Sequence, residues 1–249
     1  MKQLYVTAAC KVGCVRQNNE DMVLVGSSFI RDDEFKTRME AGDDNRLIVA
    51  VADGMGGHLS GEVASSEALH NFQFFFNDIP SGLDDEHFRK IMADWLQSIN
   101  AIFDSKGRVD DSLKGMGTTL VGLCFYEGQV FSLNCGDSRL YRMRNGSLKQ
   151  LTTDHSYNNE IGREKHSCII TNCIGGGANS SFFDIEQMTE ELLPDDIYLL
   201  CSDGLTDMLT DQKIEQMLKQ GADAKALCDA AETVGGLDNI SACLIDVES

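Results

Sequence analysis

"TTLVGLCFYEGQVFSLNCGDSRLYRMRNGSLKQLT", residues 118–152, contains four short runs of apolar and β-branched residues. Glu127-Gly128 separates the first run from the second, and Asn145-Gly146 separates the third from the fourth. Asn-Gly is a preferred pair in the type I′ turn that joins two antiparallel strands. The stretch therefore predicts an antiparallel meander rather than an alternation of strands and helices.

Outside this stretch, strand-like and helical patterns come in blocks. Strand-like apolar runs occur at 21–26, 46–52, 196–202 and 239–247. Helical periodicity predicts helices at 61–76, 84–104, 211–220 and 222–234. Paired helices separated by runs of antiparallel strands predict an α+β fold, a four-layer α-β-β-α sandwich of two packed antiparallel sheets flanked by helices.

The composition narrows the classes of partner. The 249 residues carry 21 Lys and Arg against 40 Asp and Glu, a formal charge of −19. This excess disfavours nucleic acid, whose phosphates require a basic face. No apolar run approaches the roughly 20 residues of a membrane helix, and no signal peptide is evident. Two prolines and no linker-like segment predict a single domain over 1–249, and nine cysteines scattered in apolar segments predict free thiols in the cytoplasm.

Two Asp-Gly corners share one design. Asp53-Gly54 and Asp203-Gly204 each follow a buried apolar strand and a small residue. Asp-Gly alone is a common hairpin turn, but a helical pattern rather than a second strand follows both corners. An aspartate at such a strand end projects towards a cleft, and the glycine allows close backbone approach. Two corners of the same design favour a site over a pair of turns.

Four more acids stand at breaks next to apolar strands: Glu20, Asp21, Asp137 and Asp238. Any one of them alone is most simply a surface or capping carboxylate. Together they would repel in one cleft unless cations were bound there. Oxygen-only ligands favour Mg²⁺ or Mn²⁺, because the chain has neither the Cys/His spacing of a zinc site nor the acid pattern of an EF-hand.

The glycine-rich "VADGMGGH", 51–58, fits neither nucleotide-binding pattern. A P-loop requires Gly-Lys-Ser/Thr, and no lysine occurs between Lys36 and Lys90. A dinucleotide fingerprint starting at Gly54 would need glycine at position 59, which is Leu59. The loop is therefore not a phosphate cradle of either type.

Ordered motifs across nearly the whole chain carry a family resemblance. They are "VRQNNED" at 15–21, "VADGMGGHLSGEVAS" at 51–65, "GMGTTLVG" at 115–122, "NCGDSRLYRMRNGSLKQLTTDHS" at 134–156, "LLCSDGLTDML" at 199–209 and "LDNISACLI" at 237–245. In this order they resemble the metal-dependent protein phosphatases (type 2C, or PPM), in particular the bacterial members. The resemblance implies two packed antiparallel sheets flanked by helices, as the patterns above predict.

The resemblance also implies a two-metal centre. Asp53 matches the carboxylate that bridges the two ions, and the Gly54 carbonyl matches a further ligand. Asp203 and Asp238 match the acids that complete the shell of the first ion.

The second ion and the substrate have their own matches. Glu20 and Asp21 match acids that bind the second ion directly or through its waters. Arg16 matches the guanidinium that grips the substrate phosphate. Asp137, with Asp203, matches a third and weaker metal site of bacterial members. The implied reaction is attack on phosphorus by a hydroxide that bridges the two ions.

Two positions depart from the wider family pattern. Met55 stands where eukaryotic members have a histidine proposed as general acid, and His58 is the remaining imidazole of the motif. His58 either protonates the leaving alkoxide or orients the loop. The flap over the active site is shortened, to about 157–175, which bears on substrate choice and on the third ion.

We therefore expect Mn²⁺- or Mg²⁺-dependent hydrolysis of phosphoserine and phosphothreonine in proteins. The expected partners are phosphoproteins of a serine/threonine kinase pathway, with no nucleic acid or membrane, and the expected state is a monomer. Two alternatives stay open: a non-catalytic phosphoprotein-binding module on the same fold, and a phosphatase of small phosphorylated metabolites.

Overall fold

The structure of the protein is a computed structural model that describes residues 2–43, 45–56, 60–160, 169–177, 180–188 and 192–248. Its strands are β1 (Lys2–Lys11), β2 (Asp21–Val25), β3 (Ser28–Ile30), β4 (Asp33–Ala41), β5 (Arg46–Met55), β6 (Gly117–Thr118), β7 (Leu120–Tyr126), β8 (Gln129–Cys135), β9 (Arg139–Arg144), β10 (Ser147–Gln150), β11 (Ile174–Gly175), β12 (Asp184–Gln187), β13 (Ile197–Cys201) and β14 (Ile240–Glu248). Its helices are α1 (Ser60–Asp78), α2 (Asp85–Val109), α3 (Tyr157–Glu160), α4 (Asp203–Thr206), α5 (Asp211–Lys219) and α6 (Ala224–Thr233).

The strands form two sheets. One has six strands in the order β10-β9-β13-β14-β1-β4. The other has eight, with the path β11-β6-β5-β7-β8-β12, while β2 pairs with β5 and β3 with β2. The pairings between these strands are antiparallel. The predicted antiparallel α+β fold is confirmed.

Side-chain alternation along the strands produces the layers. On β5, Val49 and Val51 pack between the two sheets, whereas Ile48 and Ala50 pack against α1 and α2. On β14, Ile245 faces the other sheet and Leu244 packs with α5 and α6. The described residues thus form three apolar cores in a four-layer α-β-β-α sandwich.

The predicted meander is wrong in one respect. β7 and β8 form one hairpin, and β9 and β10 form another. These two hairpins belong to different sheets, because the chain crosses from one sheet to the other at Gly136-Asp137-Ser138. Gly136 has φ +130°, a conformation open to glycine, so the crossing replaces the expected turn between paired strands.

Several strands were absent from the sequence prediction. β1 lies between β14 and β4 in the six-stranded sheet, although its sequence, "KQLYVTAACK", has few bulky apolar residues. β4, "DEFKTRMEA", is a charged edge strand whose exposed and half-buried residues alternate. Both strands depend on partners distant in sequence, since Lys11 is in register with Ile240.

Candidate metal centre

Two of the predicted ligands, Asp21 and Asp53, lie directly opposite each other on neighbouring strands. β2 and β5 pair with Asp21 in register with Asp53. Both positions continue the alternation of Val23 and Val51, which face the space between the sheets. Like charges directly opposite in a sheet are destabilising, so this pair needs a cation or a proton between its carboxylates.

Asp21 is the most enclosed of these acids. Its side chain is inaccessible to solvent, and its Oδ2 accepts hydrogen bonds from Ser202 Oγ at 2.7 Å and Ser241 Oγ at 2.8 Å. Its Oδ1 is buried without a hydrogen-bond partner in the described part of the chain. Burial, with the nearby charges of Asp203 and Asp238, raises the pKa of Asp21 to about 7.

Asp203 joins this pair from the other sheet. It follows β13 and begins α4, and it shares a hydrogen bond with Asp53. Two carboxyl groups can share a hydrogen bond only when one carries a proton. Burial and the charge of Asp238 raise the pKa of Asp203 to about 6. Burial and the charge of Asp21 raise the pKa of Asp53 well above its ordinary value.

The backbone of Asp53 is held by two threonines of the 115–122 motif. Asp53 N donates to Thr119 Oγ1 at 3.0 Å, and Asp53 O accepts from Thr119 N at 2.8 Å and Thr118 Oγ1 at 2.9 Å. Thr119 Oγ1 also lies 2.7 Å from Ser138 Oγ. These threonines belong to a family motif, but no pattern in the sequence indicates that they hold the Asp53 backbone.

Glu20 comes from the loop before β2. Its backbone N donates to Asn239 Oδ1 at 2.8 Å, and its backbone O accepts from Gly54 N at 3.1 Å. Asn239 Nδ2 donates to Asn18 O at 2.9 Å, so this amide fixes the loop. Glu20 Oε1 is buried without a described partner, and burial raises the pKa of Glu20. Asn239 follows a predicted ligand, but no pattern in the sequence indicates that its side chain holds this loop.

Arg16 and Asp238 form the outer edge of the centre. Arg16 Nη2 donates to Asp238 Oδ2 at 2.7 Å, and Asn239 N donates to Asp238 Oδ1 at 2.8 Å. The Arg16 side chain is 50% exposed, so it stands at the mouth rather than in the interior. Its hydrogen bond to Asp238 raises the pKa of Arg16, which keeps the guanidinium charged.

Asp137 lies in the crossing between β8 and β9. It is buried, its Oδ1 has no partner among the described residues, and burial with the charge of Asp203 raises its pKa to about 7. His155 hydrogen-bonds to both backbone polar groups of the preceding residue, Gly136. His155 N donates to Gly136 O at 3.0 Å, and Gly136 N donates to His155 Nδ1 at 3.1 Å.

The tautomer of His155 follows from these contacts. Because Nδ1 accepts a hydrogen bond, the ring proton sits on Nε2, which lies 2.9 Å from Asp184 Oδ2 and donates to it. His155 therefore holds the segment that carries Asp137. The motif "TTDHS" contained this histidine, but no sequence signal pointed to its partner.

The acids fit hard divalent cations. Glu20 Oε1, Asp21 Oδ1 and Asp137 Oδ1 are buried carboxylate oxygens without described partners, and such atoms cost free energy unless a cation or donor meets them. Among the described residues, no three His, Cys, Asp or Glu side chains converge on one point. Mg²⁺ is usually held by one or two carboxylates with waters completing its shell, so this spread of acids suits ions that keep several waters.

Two predictions cannot be placed. His58 lies outside the described residues, and so do residues 161–168 of the predicted shortened flap. Met55 is the last residue of β5 and is half-buried. The roles predicted for His58 and the flap stay predictions.

Comparison with known proteins decides the family. The profile of the family described as Protein phosphatase 2C matches residues 26–234. The chain belongs to this family. It is thus an enzyme of the phosphatase class, as the motifs implied. The profile match does not include Arg16, Glu20, Asp21 or Asp238, whose placement beside Asp53 rests on the structure.

Individual relatives agree with the phosphatase family. The serine/threonine phosphatase stp of Listeria welshimeri is 33% identical over 220 residues, covering 82% of this chain and 85% of that protein. The structure of the S. agalactiae serine/threonine phosphatase superposes with a TM-score of 0.82 at 28% identity, covering 98% of this chain and 100% of that one. The catalytic domain of PstP, solved with two manganese ions, has a TM-score of 0.77 at 28% identity and covers all of both chains. Metal dependence is therefore a property of the phosphatase family to which this chain belongs.

The buried cysteines that the structure describes in this phosphatase do not suit nucleophilic catalysis. In the described part of the chain seven of eight free cysteines are buried, and Cys14 is exposed. Burial raises the pKa of the Cys10 thiol to about 12, which disfavours the reactive thiolate.

None of the described helices combines the length and apolarity of a transmembrane span.

Proposed function

We propose that this phosphatase hydrolyses phosphoserine and phosphothreonine in proteins, using two divalent cations, Mn²⁺ or Mg²⁺, held between its sheets. Asp53 would be shared by both ions. Asp203 and Asp238 would hold the first, Glu20 and Asp21 the second, and the Gly54 carbonyl would complete the set. The names of the relatives, all serine/threonine phosphatases, support this substrate class.

One observation carries the assignment: three buried carboxylate oxygens without partners among the described residues come from two separate parts of the chain. Glu20 and Asp21 lie just before and at the start of β2, and Asp137 lies in the crossing between the sheets. Buried carboxylate oxygens without hydrogen-bond partners cost free energy unless a ligand compensates them. We extend the proposal to a third, weaker ion at Asp137 and Asp203, supported by the raised pKa that burial and the charge of Asp203 give Asp137.

The residues of the chain have distinct tasks in the reaction. Bound divalent cations supply a lowered pKa for a coordinated water and neutralise charge on phosphate oxygens. Arg16 stands at the mouth with five N–H donors, and Asp238 is its hydrogen-bond partner among the described residues. The remaining donors can hold two phosphate oxygens and orient the ester. Ser202 and Ser241 hold the Asp21 carboxylate in place.

We also propose that the substrates belong to a serine/threonine kinase pathway and that the enzyme acts as a monomer in the cytoplasm. Free cysteines in the described residues support a reducing compartment. The relatives named above are protein phosphatases, which supports phosphoproteins over small phosphorylated metabolites.

The test is hydrolysis of a phosphothreonine peptide with MnCl₂, with MgCl₂ and with a chelator, alongside calorimetric titration of Mn²⁺ into the metal-free protein. We expect Mn²⁺-dependent turnover, loss of turnover with chelator, and at least two bound ions. Asp203→Asn should lose turnover and one binding event. Undiminished turnover in the presence of chelator would contradict the proposal.

A further inference from the structure

A cavity of about 350 Å³ lies where the end of α2 meets the chain leading to β6. Its lining includes Arg108, Lys114, Asp104, Gly115, Met116 and Gly177. Two cations against one carboxylate make this wall locally basic, on a chain whose formal charge is −19. The lining of the cavity therefore carries a net positive charge, although the chain as a whole is acidic.

The two cations are not neutralised by the described residues. Neither the Arg108 nor the Lys114 side chain makes a hydrogen bond or ion pair with any part of the chain that the structure describes. By contrast Lys106, in the same last turn of α2, pairs with Glu67 at 2.7 Å. In a chain with almost twice as many acids as bases, cations left free on one cavity wall are available to an external anion.

The backbone holds these two residues side by side. A Cβ on Gly107 would lie 3.2 Å from Lys114 Cα, so the absence of a side chain lets the turn pack closely on α2. That turn is closed by hydrogen bonds from Leu113 N to Asp110 O at 3.0 Å and from Met116 N to Leu113 O at 3.1 Å. Lys114 therefore projects from an ordered turn next to the helix that carries Arg108.

The cavity is within reach of a substrate bound at the metal centre. β6 pairs with β5 through Gly54 with Thr118 and Met55 with Gly117. Lys114 is four residues before Thr118, a span of at most about 14 Å. An extended peptide advances roughly 3.3 Å per residue. A side chain about three or four residues from the phosphorylated one can thus meet the long side chains of Arg108 and Lys114.

We propose that Arg108 and Lys114 form a subsite for an anionic side chain of the phosphoprotein substrate, a few residues from the phosphoresidue. This inference rests on the proposed function and specifies its substrate preference. The anion is a carboxylate or a second phosphate, both of which these cations can pair with.

The experiment compares phosphothreonine peptides that carry one Glu or one Gln at each position within about four residues of the phosphothreonine, and a third set with phosphoserine there. At the preferred position we expect Glu to lower KM about fivefold relative to Gln, with kcat unchanged, as an exposed ion pair allows. The difference should shrink at high salt. Whichever of Glu and phosphoserine lowers KM more identifies the anion.

Variants of the two cations test whether Arg108 and Lys114 cause the preference for Glu peptides. Arg108→Gln combined with Lys114→Gln should remove the Glu preference, while turnover of p-nitrophenyl phosphate stays at the wild-type level. The matched control is Lys90→Gln, which removes an exposed lysine of α2 whose side chain has no partner among the described residues, roughly 27 Å along the helix from Arg108. This control should keep the preference.

The outcomes separate the two hypotheses. Equal KM values for Glu and Gln peptides at every position, or a preference that survives in the double variant, would overturn the subsite and leave the proposed function intact. Hydrolysis of p-nitrophenyl phosphate without hydrolysis of any phosphopeptide would overturn the proposed function itself.

Discussion

The two Asp-Gly corners look alike in sequence but differ in the folded chain. Asp53 lies within β5, which continues to Met55 and pairs there with β6. Asp203 follows the end of β13 and opens α4. The prediction that both aspartates follow the end of a strand is thus correct for Asp203 and wrong for Asp53, because the pairing with Gly117 and Thr118 extends β5 past the apolar run.

Both corners require glycine for the same reason, which is that a second backbone segment packs against each of them. An added Cβ on Gly54 would overlap the carbonyl oxygen of Gly61, and one on Gly204 would overlap the carbonyl oxygen of Asn239. Neither glycine has a positive φ. Each therefore admits a second backbone segment of this chain, and the difference between the corners is which segment approaches: the start of α1 at the first, the start of β14 at the second.

Replacing the aspartate of either corner should give the largest loss of activity. Asp53→Asn and Asp203→Asn should each lower kcat/KM by at least about 100-fold, since loss of an outer-shell partner alone typically costs 10- to 100-fold. The decrease in kcat/KM should be larger for Asp53→Asn than for Asp203→Asn, because we propose that both ions share Asp53. Phosphopeptide kinetics and Mn²⁺ calorimetry measure this, with Asp94→Asn on α2 as a surface control. A fully active Asp53→Asn enzyme would refute the shared ligand.

Adding a methyl group at the glycine of either corner should destabilise the fold. Gly54→Ala and Gly204→Ala should each lower the free energy of unfolding by about 1–3 kcal/mol, since the new methyl group overlaps backbone that has little room to move. Urea unfolding measures the change. Gly122→Ala is the matched control, because its Cβ would make an ordinary contact at 3.5 Å. Wild-type stability in both corner variants would disprove the close-approach explanation.

Cation affinity should depend on pH, through Asp203 of the second corner and through Asp21, which lies opposite Asp53 of the first. The folded-state pKa values of Asp203, about 6, and Asp21, about 7, lie above the ordinary value of 3.8. The metal-free folded protein thus binds more protons than the unfolded chain between about pH 4 and 7, so its stability falls as pH rises through that window. Cations must displace these protons, and Mn²⁺ affinity should therefore rise with pH.

The expected change in Mn²⁺ affinity is about tenfold per pH unit for each proton displaced, below about pH 6. Calorimetry in buffers of different ionisation enthalpy counts the protons released. Affinity that stays constant from pH 5 to 8 would contradict the raised pKa values.

The smallest expected effect concerns the residue before each aspartate, which is Ala52 at the first corner and Ser202 at the second. Ala52 packs against the helices, whereas the Ser202 hydroxyl donates to Asp21. Ser202→Ala should cost about 1 kcal/mol in stability. Because it removes a hydrogen bond to the charged carboxylate, it should also move the pH dependence of Mn²⁺ binding upward. Ser241→Ala, which removes the equivalent bond, should match it. Opposite pH shifts in the two variants would contradict this role.

Local chemistry explains what the sequence by itself determined. The apolar runs of β5 and β14, the Asn145-Gly146 turn and the helical periodicity of α1 and α2 are all properties of neighbouring residues. The acidic residues beside apolar strands could likewise be read as a metal site, because clustered carboxylates have few other uses. The family motifs added the roles of individual acids.

Only the tertiary structure decided which segments meet. The register of Asp21 opposite Asp53, the crossing at Gly136 and the pairing of β1 with β14 join parts of the chain that no local pattern relates. The same holds for Asn239 beneath Glu20 and for His155 around Gly136. Strand register and sheet order arise from packing between distant residues, so the partners of the predicted acids became visible only in the folded chain.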